Sequence, residues 1–155
     1  MRRTLLLAAG AAAVLLARPA IAQNGNNASH RAVIASQLDA ATRAKGAEGY
    51  GVERVVDAQT VIGMLPDRGS VVLELNLRSG MEYFIPGGCD ADCDDLDLRV
   101  HAPGGEGMLD EDVQADDVPI VSFTAPRSGP HLLTVTMSRC KTELCYFGFR
   151  VLGKP

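Results

Sequence analysis

The sequence predicts an all-β domain, a sandwich or barrel of short strands, preceded by one helix. Two observations carry this. From Tyr50 onward, short alternating or apolar segments recur between Gly/Pro turn signals. Only Ser29–Lys45 has helical periodicity, and nothing later is long enough for the crossover helices of a parallel α/β sheet.

The elements follow in order. Residues 1–22 read as an export signal. Arg2 and Arg3 form a basic start, Leu5 to Leu16 an apolar stretch, and Ala20-Ile21-Ala22 a small-residue cleavage site. The apolar run is short of the roughly 20 residues a membrane span needs, and no cysteine near the cleavage site offers a lipid anchor. Residues 23–28 are polar and are expected to be a disordered spacer. In 29–46, Val33, Ile34, Leu38 and Ala41 lie at helical spacing, with Ser29 as N-cap and Gly46 as the stop. With few large apolar residues, this helix is expected to rest on the domain's edge, its bland role packing and its sharper one a partner-binding arm.

The β-sandwich is expected over 50–155. Val52–Val56 is a weak strand and Thr60–Leu65 a better one, followed by a Pro66-Asp67-Arg68-Gly69 turn. Ser70–Leu77 alternates, with Val71, Leu73, Leu75 and Leu77 on one face and Glu74 and Asn76 on the other. Met81–Pro86, Leu96–His101, Ile120–Thr124, His131–Ser138 and Tyr146–Leu152 complete the set.

Charge limits the partners. The chain has 15 Lys+Arg against 19 Asp+Glu. Removing 1–22 takes away three arginines and no acids, so 12 bases face 19 acids and the formal charge becomes −7. Nucleic acid and anionic membrane surfaces repel such a chain, whereas cations and basic surfaces suit it. An even set of four cysteines in an exported chain predicts two disulfides. The local pairs Cys89–Cys93 and Cys140–Cys145 are favoured, with a cross-link between the two segments as the rival.

A family resemblance rests on named residues. Asp95-Leu96-Asp97-Leu98-Arg99-Val100, Pro103-Gly104-Gly105, Val121-Ser122-Phe123-Thr124-Ala125-Pro126, Gly129 and Leu132–Val135 resemble the bacterial pre-peptidase C-terminal (PPC) domain. The likeness spans roughly 69–152. It implies a jelly-roll-like antiparallel β-sandwich on a secreted or periplasmic bacterial protein. The role it implies is accessory and non-catalytic, toward an extracellular or envelope protein or a polysaccharide. Pro130-His131 replaces the family's late aromatic, the cysteines are additional, and a helix rather than a peptidase stands ahead of the domain.

Eleven of the acids fall between Cys89 and Asp117, where Arg99 is the only arginine or lysine. Asp90, Asp92 and Asp94 form a D-x-D-x-D array that, with Asp95 and Asp97, is a candidate calcium site, since hard cations take oxygen ligands. It is not an EF-hand, because the sixth and twelfth positions from Asp90 hold Asp95 and His101 instead of glycine and glutamate. The competing reading is a solubilising loop whose acids point into water, with Asp94 or Asp95 capping a turn through its side chain. Zinc on the four cysteines is disfavoured by export and by their spacing. No nucleophile elbow, H-E-x-x-H or phosphate loop occurs, so a non-enzyme is expected, with a small secreted hydrolase using His101 or Asp97 as the alternative. With no Trp, three Tyr and four Phe, a sugar-stacking platform has little material, and Phe123, Phe147 and Phe149 read as core.

Overall fold

In the computed structural model, two antiparallel sheets pack face to face, and one helix covers the outer side of the first. The structure describes residues 21–54 and 59–155, with side chains from Asn27. Residues 1–20 of the expected signal 1–22 and the end of the expected strand Val52–Val56 lie outside them. Among the described residues, no helix is long and apolar enough to cross a membrane.

Helix α1 spans Ile21–Gly46. Residues 23–28, expected as a disordered spacer, are therefore its first turns, and Ser29 lies within it. Extending an existing helix orders one residue per hydrogen bond, so polar residues can follow a docked segment. Ten strands follow among the described residues: β1 Gly51–Val52, β2 Val61–Leu65, β3 Ser70–Leu77, β4 Glu82–Cys89, β5 Cys93–His101, β6 Met108–Asp112, β7 Ile120–Thr124, β8 Gly129–Cys140, β9 Cys145–Phe149 and β10 Leu152–Lys154. The expected Tyr146–Leu152 strand is split at Arg150-Val151, and β6 was not expected. Its Met-Leu-Asp-Glu-Asp sequence offers only Leu109 to the core, so it lacks the apolar alternation that marks a half-buried strand.

The first sheet is built on β4. Its Glu82–Phe84 half pairs with β10, and Gly87–Cys89 pairs with β9. The other edge of Glu82–Pro86 carries β7. Strands β1 and β2 extend β10 and β9 respectively. The second sheet has the order β3-β8-β5-β6. Between them Leu75, Ile85, Leu96, Leu98, Leu133, Val135 and Met137 are fully buried. At about 1.5–3 kcal/mol for each large apolar side chain, this interior is the main favourable contribution to folding. In β3, alternation places Leu75 and Leu77 in the core and leaves Glu74 and Asn76 exposed. Phe147 and Phe149 are buried as expected, and Phe123 is partly buried against the core.

The helix seat is made by two glycines. Gly88 of β4 and Gly148 of β9 are direct cross-strand partners. A Cβ on Gly148 would lie 2.7 Å from Ile34 Cγ2 and 2.9 Å from the Val61 carbonyl oxygen. One on Gly88 would meet Gln37 Oε1 at 2.5 Å. The bare backbone lets α1 press Ile34 and Leu38, both fully buried, onto the sheet. The helix thus lies over the sheet instead of at its edge, and Val33, expected on the apolar stripe, is 39 % exposed. Arg150 holds the C-terminal half, with Nη1 2.6 Å from Asp39 Oδ1 and 3.1 Å from Thr42 Oγ1.

Candidate functional site

Both disulfides form as the favoured local pairs, Cys89–Cys93 and Cys140–Cys145. Their location has a topological reason. The loop 89–93 carries the chain from the first sheet to the second, and the loop 140–145 carries it back. Cys93 and Cys140 are register partners in β5 and β8, so the two clamped crossings are neighbours at one corner. The Lys141 N–H donates to the Asp92 carbonyl at 2.8 Å and ties them together.

The N-terminal half of α1 docks on this corner. Asp90, 2 % exposed, stands at its centre. Its Oδ2 accepts from the Tyr146 N–H at 3.0 Å and lies 2.9 Å from His30 Nδ1. Its Oδ1 accepts from the Asp92 N–H at 3.3 Å. The His30 ring stacks on Tyr146 with centroids 5.3 Å apart and planes 15° from parallel, and the Tyr146 hydroxyl donates to Asn27 Oδ1 at 2.7 Å. The Tyr146 and Asp92 N–H groups give the buried Asp90 oxygens hydrogen-bond partners in place of the water they lost.

The five acids expected to share calcium are divided among different partners. Asp90 and Asp92 join His30 in the only group of three or more His, Cys, Asp or Glu ligands, among the described residues, able to hold one ion. Asp94 pairs with Lys141 at 2.5 Å. Asp95 lies 3.9 Å from Arg139. Asp97, offered by the sequence both to the calcium set and to the hydrolase alternative, is only 8 % exposed; it accepts from the Ser138 hydroxyl at 2.6 Å and lies 3.9 Å from Arg99 Nη1. Strand geometry causes this division: β5 is irregular between Cys93 and Leu96, so consecutive acids meet different residues of β8. Burial, then the nearby Asp97, raises the Asp95 carboxyl above the usual aspartate range; Arg139 opposes and Asp116 adds to the rise.

The second acidic stretch caps strand edges. Asp110 Oδ2 accepts from the Ser122 N–H at 2.6 Å and Asp112 Oδ2 from the Ile120 N–H at 2.9 Å. Both donors belong to β7, whose other edge pairs with β4. Asp112 Oδ1 also accepts from Gln114, Asp116 Oδ1 accepts from Val118, and Asp117 Oδ2 accepts from Gln37 Nε2 at 3.1 Å. Capping, expected of Asp94 or Asp95, is done here by Asp110, Asp112 and Asp116, whereas Asp94 and Asp95 face Lys141 and Arg139.

The histidines separate widely. His30, unremarkable in the sequence, is the one at the corner. Its signal was weak: a polar residue on the buried helical stripe, four positions before Ile34. His101 lies on the rim of β5, paired with Leu132 on β8 and Met108 on β6. His131 is fully buried, its Nδ1 3.0 Å from the Gly129 oxygen and its ring 6.4 Å from that of Phe123. It fills an interior position as a core residue. His101 and Asp97, the residues of the hydrolase alternative, are not joined by a hydrogen bond among the described contacts, and Asp97 is committed to Ser138.

The outer side of the second sheet is uncovered by α1. Two rows of side chains cross all four strands there: Val72, Thr134, Arg99 and Glu111, then Glu74, Leu132, His101 and Met108. Val72 is 58 % exposed and Met108 50 %. Arg99 Nε donates to Glu111 Oε2 at 2.9 Å between them.

No family model matches the chain, and no curated protein does. Solved structures show partial similarity to the chain. The Aeromonas hydrophila PliG, a periplasmic lysozyme inhibitor of g-type lysozyme, is 13% identical over 61% of this chain and 84% of its own, with a TM-score of 0.47. The Salmonella Typhimurium PliG is 16% identical over 61% and 89%, with a TM-score of 0.42. The carbohydrate-binding module CBM6cm-2 of Cellvibrio mixtus lichenase 5A is 10% identical over 61% and 86%, with a TM-score of 0.36. At these identities and TM-scores the likeness assigns no role to this chain.

Proposed function

We propose that this chain is an extracytoplasmic, non-catalytic binding module that engages a partner protein through the open side of its second sheet. The observation that carries this is the asymmetry of the sandwich. Helix α1 covers the outer side of the first sheet, while the outer side of β3-β8-β5-β6 stays open with Val72 and Met108 exposed among polar residues. Val72 and Met108 stand on the two edge strands with Thr134, Arg99, Leu132 and His101 between them, a mixed apolar and polar face of the composition that protein interfaces share. The excess of acids favours one with a basic surface. The two disulfides support an oxidising compartment, periplasmic or secreted. The resemblance to PPC domains belongs to the same reading, as an accessory module.

The helix-arm alternative is less favoured, because Ile34 and Leu38 are already buried on the sandwich. The test compares the mature protein with a Val72→Arg/Met108→Glu variant and a Val33→Arg variant in capture from periplasmic extract. A partner bound by the parent chain and by Val33→Arg, but lost from the sheet variant, supports the reading. Undiminished capture by the sheet variant overturns it.

A further inference from the structure

We propose that the corner formed by His30, Asp90 and Asp92 is a site for one borderline divalent cation of the zinc class, which fastens α1 to the disulfide-clamped crossings. The donor atoms, one imidazole nitrogen and two carboxylate oxygens, lie within 4.8 Å of one another. Zinc takes nitrogen and oxygen ligands at about 2.0–2.2 Å, which places tetrahedral ligands roughly 3.3–3.6 Å apart. His30 Nδ1 and Asp90 Oδ2, 2.9 Å apart, need only a small separation to reach that spacing, and no two of the three donor atoms are more than 4.8 Å apart. Three protein ligands leave the fourth position to water.

Three features make the corner more than a group of acids. The set includes an imidazole, which selects zinc-class ions over calcium; calcium needs six to eight oxygens. The Asp90 side chain is 1 % exposed, so its charge gains more from a cation than an exposed carboxylate would. The Tyr146 N–H on Asp90 Oδ2 already supplies the outer hydrogen bond that orients a metal-binding carboxylate. Asp94 and Asp95, the next acids along, face Lys141 and Arg139 instead. Binding replaces the contact between His30 Nδ1 and Asp90 Oδ2 by two bonds to the metal, and any proton on Nδ1 passes to water.

The consequence is metal-dependent fastening between residues 60 positions apart in sequence. It is independent of the sheet face assigned to the partner. The test is a calorimetric titration of the tag-free mature protein with zinc chloride, repeated on His30→Gln, Asp92→Asn and His101→Ala. These changes leave Asp90 and its backbone bonds in place. Circular dichroism of each variant confirms that it is folded. The expected result is one zinc per chain, weakened more than ~100-fold by His30→Gln and Asp92→Asn, beyond the 10–100-fold typical of supporting groups, and unchanged by His101→Ala. A raised melting midpoint in zinc over chelator should accompany it. Absent saturable binding, affinity indifferent to His30→Gln, or calcium bound as well as zinc would overturn the proposal.

Discussion

Gly88 and Gly148 face each other across β4 and β9, and Ile34 of α1 occupies the space where a Gly148 side chain would stand. The helix and the sheet are therefore fitted to each other by the absence of two side chains. Gly148→Ala should cost about 1–3 kcal/mol, as overpacked cores do, because its Cβ would also meet the rigid Val61 carbonyl oxygen at 2.9 Å. Gly88→Ala should cost less, since Gln37 Oε1 is the end of a flexible chain. Urea unfolding at unchanged m-value measures both; equal losses would contradict the asymmetry.

Asp110 and Asp112 hold the outer edge of β7 by accepting from Ser122 and Ile120. Asp112→Ala should destabilise by about 1.5–3 kcal/mol, the range of hydrogen bonds to a charged acceptor. Asp112→Asn, which keeps an acceptor oxygen, should lose less. The freed edge of β7 is also open to strand pairing, so Asp110→Ala/Asp112→Ala should aggregate at lower concentration than the parent chain in light scattering.

Asp95 gives the stability a defined pH dependence. Its carboxyl is raised in the fold by burial first and by Asp97 second. Between the ordinary aspartate value and this raised one, the folded chain binds more protons than the unfolded, so the contribution of Asp95 falls as pH rises through that window. Asp95→Asn should therefore stabilise the domain at neutral pH, with the gain shrinking on acidification and vanishing below the ordinary aspartate range. Denaturation midpoints of the two proteins from pH 3 to pH 8 check it; a gain independent of pH would point to another cause.

The disulfide loops are short, with sequence separations of 4 and 5. Loop-closure entropy for such rings is about 2 kcal/mol each. Cys140→Ser/Cys145→Ser should lose about that amount and keep the sandwich, as followed by far-ultraviolet circular dichroism and urea unfolding. Loss of all cooperative folding would show that the clamp sets the crossing itself.

The sequence by itself determined the strands whose alternation meets the core and the turns between them, and it favoured the local disulfide pairing that the structure shows. Ser70–Leu77 and Ile120–Thr124 form strands with the expected bounds, because period-two alternation and turn chemistry are properties of neighbouring residues. Strand β6 escaped, since its Asp110, Glu111 and Asp112 read as loop until Ser122 and Ile120 are brought beside them.

Only the tertiary structure decided what each acid does. The sequence groups Asp90 to Asp97 as one array; the turn between β4 and β5 brings Asp90 to His30, and β5 brings Asp94, Asp95 and Asp97 to Lys141, Arg139 and Ser138. A carboxylate takes its role from the donor or cation that reaches it, and those partners arrive from 41 to 60 residues away along the chain for Asp97 and Asp90. Side-chain pattern is local information, whereas electrostatic partnership depends on long-range packing. That is why the fold was legible in this sequence and the corner at His30 was not.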